Sequence, residues 1–153
     1  MKILFKLILL FFLFTNISNA ELIKPNTDLK PFDVSMIQLS SLKNNNTPYK
    51  DADIEQTWEF AHPINKAATG PLEKFKQIIY SDSYKILISH ENTKTTILKE
   101  SPNKFVFKVY VSSKDKKKYY YIWKIEKVER EGKLKDCWMT TRVSDSIYLG
   151  EVI

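Results

Sequence analysis

The sequence predicts an α+β domain in which N-terminal helices pack on a curved antiparallel sheet. Three observations point there. Apolar residues recur at helical spacing from residue 33 to about residue 88, and from about residue 95 to residue 144 they alternate with a period of two. The change of period falls after His90, with no internal repeat or domain boundary in between.

The first helix runs from Asp33 to Lys43, with Val34, Ile37 and Ser41, beside Met36, Leu39 and Leu42, on one broad face and Asp33 as its N-cap. The run Asn44 to Pro48 stops it. Asp51 or Asp53 caps a second helix, whose Ile54, Trp58 and Ala61 share a face and which ends before Pro63. Gly70 and Pro71 open a third helix with Leu72, Phe75, Ile78 and Ile79 on one side. A short helical piece from Ser81 to about Ile88 turns Tyr84 and Leu87 inward.

Thr95 to Lys99 reads as a short strand, and Lys104 to Ser112 as a strong one, because Phe105, Phe107, Val109 and Val111 alternate with Val106, Lys108 and Tyr110. The charged turn Ser113 to Lys118 leads to a strand from Tyr119 to Val128. Its Tyr119, Tyr121, Trp123 and Ile125 share one face, opposite Tyr120, Ile122, Lys124 and Glu126. A polar turn around Gly132 precedes the last long strand, Asp136 to Ser144.

Composition agrees with a single ordinary globular domain. The 153 residues are 43% hydrophobic and 27% charged, with three glycines and one cysteine, which excludes collagen, disordered tails and disulfide scaffolds. Residues 1–20 have the layout of a Sec-type secretory signal peptide. Lys2 and Lys6 precede the apolar run Leu7 to Phe14, and small residues at Ser18 and Ala20 suit cleavage before Glu21. The run is shorter than the ~20 residues a membrane-crossing helix needs, so the expected product is periplasmic or secreted, with no stable membrane span after processing. Removing Lys2 and Lys6 takes two positive charges from the formal +6 and leaves a mildly basic +4. Residues 21–31, with Pro25 and Pro31, read as a linker, and residues 32–153 as the domain. Cys137, beside Trp138 and Met139 in an apparent strand, reads as a small buried hydrophobe.

Four stretches, Gln38 to Glu55, Phe60 to Lys66, Thr69 to Phe75 and Tyr84 to His90, together with Cys137 to Thr140, carry a resemblance. The chain resembles an exported bacterial and plastid domain-of-unknown-function family, family 4864, over most of Val34 to Val143. The resemblance implies the nuclear transport factor 2-like (SnoaL-like) cone fold and brings no established chemistry. Two departures stand out: Asp53 where relatives tend to have glycine, and Thr141 with Arg142 where an Asp-Gly pair is common.

Candidate chemistry is sparse. His62 and His90 are the only side chains whose ordinary pKa suits acid–base work near neutrality. Cone-fold enzymes place a His or Asp in the pocket between sheet and helices, so His90 and Asp53 are the catalytic candidates, with Tyr110 or Tyr121 as a donor. The competing reading is a hydrogen-bonded structural histidine at position 90, and a His62 that satisfies the last carbonyls of a helix. No metal spacing, phosphate loop or nucleophile elbow occurs, so no cofactor and no metal are expected. The aromatic strands supply a candidate ligand pocket of Phe107, Tyr121, Trp123 and Trp138, suited to a small apolar molecule.

Lys114 to Lys118 followed by three tyrosines resembles a nucleic-acid patch, but export argues against such a partner. A charged turn that protects the sheet edge is the simpler account. Three functions follow: a non-catalytic binding or assembly module of the cell envelope, meeting a small molecule or an envelope protein; a cofactor-independent isomerase, cyclase or hydrolase; or a structural homodimer paired through the sheet.

Overall fold

A computed structural model describes residues 21–151; residues 1–20, on which the signal-peptide expectation rests, lie outside the described residues. It has the α+β order expected. Helices α1 (Pro31–Lys43), α2 (Ala52–Glu59), α3 (Pro63–Thr69) and α4 (Leu72–Ile79) and a single 3₁₀ turn (Lys85–Leu87) precede five strands. These are β1 (Asn92–Ser101), β2 (Lys104–Ser112), β3 (Lys117–Lys127), β4 (Trp138–Val143) and β5 (Ile147–Glu151).

Helix α1 begins two residues before Asp33. Pro31 occupies the first turn, where its missing N–H is no loss, and Asp33 accepts from the Lys30 N–H at 2.8 Å. Asp33 is therefore the third helical residue of a capping box rather than the N-cap. At the other end Asn44 donates from both its backbone and its side chain to Ser40. The segment before α1 is tied down as well. Gln56 of α2 accepts from the Ile23 N–H at 2.7 Å and donates to the Ile23 carbonyl at 2.9 Å.

Helix α3 is absent from the periodicity because none of its residues is buried, leaving no apolar stripe to detect. It starts at Pro63, and His62 Nδ1 accepts from the Ile64 N–H at 3.1 Å. His62 thus opens a helix instead of closing one. Gly70 ends α3 at φ +81°, backbone that a residue with a Cβ adopts only with strain. Helix α4 buries Phe75 and Ile79, four residues apart.

The strands form one antiparallel sheet in the order β1-β2-β3-β4, with β5 also paired to β3. β4 meets β3 at Trp123 to Lys127 and β5 meets it at Lys117 to Tyr120, so the two follow one another along the same edge. β5 escaped the alternation pattern because it is short, exposed and interrupted by Gly150. β1 is twice the expected length, and its largely exposed outer half carries little alternation to read.

The inward face is set by register. Phe107 pairs with Trp123, Val109 with Tyr121 and Phe105 with Ile125, and these side chains meet Val34, Leu39, Leu42, Ile54, Phe60 and Phe75 from the helices in one core. A smaller cluster of Val128, Cys137 and Met139 lies under the 129–136 turn, which confirms Cys137 as a buried side chain.

Candidate functional site

The space between helices and sheet narrows to a cavity of about 60 Å3. Its floor is polar. Gln38 from α1, Trp123 from β3 and Thr140 from β4 are all almost fully buried and bond to one another. The Trp123 Nε1–H donates to Thr140 Oγ1 at 3.0 Å and to Gln38 Oε1 at 3.2 Å, and the Thr140 hydroxyl donates to Gln38 Oε1 at 2.6 Å. Gln38 Nε2 donates to the Thr57 carbonyl at 3.0 Å, one of the carbonyls that the last turn of α2 leaves unpaired. Asn65 donates to the Thr140 carbonyl at 3.1 Å, and the Tyr84 hydroxyl, also on the cavity wall, to the Val143 carbonyl at 3.1 Å. These groups spend their hydrogen bonds on the protein, which suits a polar clamp between layers. The volume falls well below the roughly 300–1,000 Å3 of pockets for drug-sized ligands.

The predicted site residues do not converge. His90 is buried, its Nδ1 2.8 Å from the Leu87 carbonyl. Burial pushes its pKa below the usual histidine value, and the nearby Lys43 ammonium acts in the same direction. Asp53 lies in a separate groove of about 390 Å3 between the N-terminal segment, α1 and the Thr47–Tyr49 loop, where it accepts from the Thr47 N–H at 3.2 Å. Burial raises its pKa. His90 lines neither space, so the two residues share no cavity in which one would orient or relay protons for the other. His62 is likewise held below its ordinary pKa by burial, with its ring nitrogen committed to the α3 cap.

Of the four pocket candidates, Trp123 alone lines the inner cavity. Phe107 packs between Phe32 and Phe105, and Trp138 meets Phe105 edge-on, so both are core. Tyr121 is fully buried, its hydroxyl donating to the Ser83 carbonyl at 3.0 Å, and burial raises its pKa. Tyr110 points away from the cavity, on the other face of the sheet. Among the described residues no group of three His, Cys, Asp or Glu side chains is placed to hold a metal ion.

Gln38 and Thr140 were missed among the candidates, and of the two Gln38 had a signal. Gln38 stands four residues from both Val34 and Leu42, a polar amide on the most buried stripe of α1. Such a residue needs partners, and only the fold shows that they come from β3 and β4.

The helices cover one face of the sheet. The other face carries Lys94, Lys99, Lys108, Lys118, Lys124 and Arg142 among Tyr110, Tyr120 and Ile122, and between β1, β2 and β5 it forms an open groove of about 490 Å3. The Lys108 ammonium sits 4.1 Å from the Tyr120 ring centre and 5.1 Å from that of Tyr110. Comparisons with protein-family models, curated proteins and solved structures give no match to this chain.

Proposed function

We propose that the protein is an exported, non-catalytic binding or assembly module of the cell envelope, built on a nuclear transport factor 2-like cone and akin to the exported family that its motifs resemble. The observation that carries this reading is the one-sided sheet. Helices clad one face, while the other presents the larger open groove and an array of charged side chains. The cone reading is supported by register shifts in three strand pairs, at Ile97–Lys99, Lys124–Ile125 and Lys118–Tyr119, the kind of irregularity that lets a sheet curve. The export reading rests on the n-region, apolar run and small-residue site in residues 1–20.

A second reading, self-association, is favoured by β5, where Ile147, Tyr148 and Leu149 are three consecutive exposed hydrophobic residues. Native mass spectrometry of the protein from its own envelope fraction tests both. Co-purification of a partner that is lost when the open sheet face is charge-reversed supports the module, and a homodimer sensitive to Leu149→Lys supports self-association. A small molecule retained only while Trp123 and Thr140, which line the inner cavity, are intact would overturn both in favour of an interior site.

A further inference from the structure

Apart from the Lys104–Glu126 ion pair, the charges that the strands place on the open sheet face are basic. Strand alternation sets six cations there: Lys94 and Lys99 on β1, Lys108 on β2, Lys118 and Lys124 on β3, and Arg142 on β4. Lys94, Lys99, Lys118 and Arg142 are exposed, and Lys108 and Lys124 half-buried. Among the described residues none of the six forms an ion pair. The neighbouring Lys104 shows the contrast, since Glu126 lies 2.6 Å away across the same face.

The register spreads these charges in two directions. One rung crosses the sheet as Lys99, Val106, Lys124 and Arg142, another as Lys94, Tyr110, Tyr120 and Ile147, with Lys108 between them. Neighbouring strands lie about 4.8 Å apart and alternate residues on a strand about 6.6 Å apart, so the cations tile an area rather than follow a line. Their mutual repulsion within about one Debye length is relieved by an anionic counterpart.

The tyrosines narrow the choice of partner. Lys108 occupies the space over the Tyr110 and Tyr120 rings, so these faces are not free platforms for stacking bases or sugars. A single extended polyanion can lie along one row, whereas a bed of phosphate headgroups meets both rungs together. Resting on the binding-module reading above, we infer that the open face of the sheet docks on a membrane surface rich in anionic phospholipid, with the lysines and Arg142 contacting headgroup phosphates.

The test is co-sedimentation of the full chain, in the N-terminal form that intact mass reports, with vesicles of phosphatidylglycerol mixed into phosphatidylcholine and with phosphatidylcholine alone. Binding is expected to the first only, and to weaken with added salt. Each cation near an anionic surface contributes roughly 5-fold in partitioning, so Lys94→Glu/Lys124→Glu should lose at least about 25-fold. Lys118→Glu/Arg142→Glu, on exposed positions, repeats the test if the first variant melts early. Lys114→Glu/Lys116→Glu alters net charge equally on the hairpin turn and should retain most binding.

No binding to the anionic vesicles overturns the inference, as does equal loss in the turn variant. Tighter binding to soluble polyphosphate or to an oligonucleotide than to vesicles also overturns it, in favour of a linear polyanion. Retention on the envelope fraction without vesicle binding removes the lipid assignment and leaves the binding module standing; loss of both removes both.

Discussion

Replacing Gln38 by methionine isolates the polar clamp under the cavity. Methionine matches the length of glutamine, so packing volume is nearly kept while all three hydrogen bonds of the amide disappear. The Trp123 Nε1–H retains Thr140 Oγ1 at 3.0 Å. The Thr57 carbonyl loses its Gln38 donor, and the Thr140 hydroxyl, still accepting from Trp123, loses the acceptor for its own proton, both in buried surroundings. Each stranded group costs about 1–3 kcal/mol, and the apolar replacement recovers part of this, so the expected loss is about 2–4 kcal/mol. Thr140→Val strands nothing, because Trp123 keeps Gln38 Oε1, and should cost only about 1 kcal/mol. Urea denaturation followed by tryptophan fluorescence measures both, with the midpoint moving and the slope unchanged. The reasoning fails if Gln38→Met lies within about 0.5 kcal/mol of the parent, or if Thr140→Val is the more damaging change.

Three further outcomes follow from the same structure. His62 and His90 are both held below their ordinary pKa by burial, so the unfolded chain binds more protons than the folded one as pH falls through and below about 6.5. Stability should therefore decline from pH 7 towards pH 5, and His90→Gln should flatten that slope in urea titrations across the range; an unchanged slope refutes a neutral buried His90. Cys137 is 2% exposed and its thiol is pushed up by burial, so an aromatic disulfide reagent should modify it only at the rate of chain opening, and immediate reaction in the native protein would contradict the packing. Gln56→Ala removes both hydrogen bonds that hold Ile23, at a cost of about 1–2 kcal/mol, and limited proteolysis should then cut within residues 22–30 well before the parent is cut there.

The elements with a one-sided pattern were legible residue by residue. β2 begins and ends where the alternation of Phe105, Phe107, Val109 and Val111 places it, and α4 follows from Phe75 and Ile79. The segments that bury little, α3, β5 and most of β1, left weak traces or none. Periodicity records which side of an element avoids water, so an element without a dry side has no periodicity to read. Capping had the same limit. Asp51 does stand at the start of α2, but its carboxylate receives the Tyr80 hydroxyl instead of a helix N–H, a choice made by a residue 29 positions away.

The sequence by itself determined the α+β class, the inward set of strand aromatics and the burial of Cys137, because these depend on spacing within one segment. Only the tertiary structure decided what those side chains meet. It separated His90 from Asp53, withdrew Phe107, Tyr121 and Trp138 from the cavity into the core, and joined Gln38 to Trp123 and Thr140 across 85 and 102 positions. It also set cations from four strands side by side on one face. The physical reason is that hydrogen bonds and Coulomb forces act over a few ångströms of space, and strand register and layer packing determine which distant residues come that close.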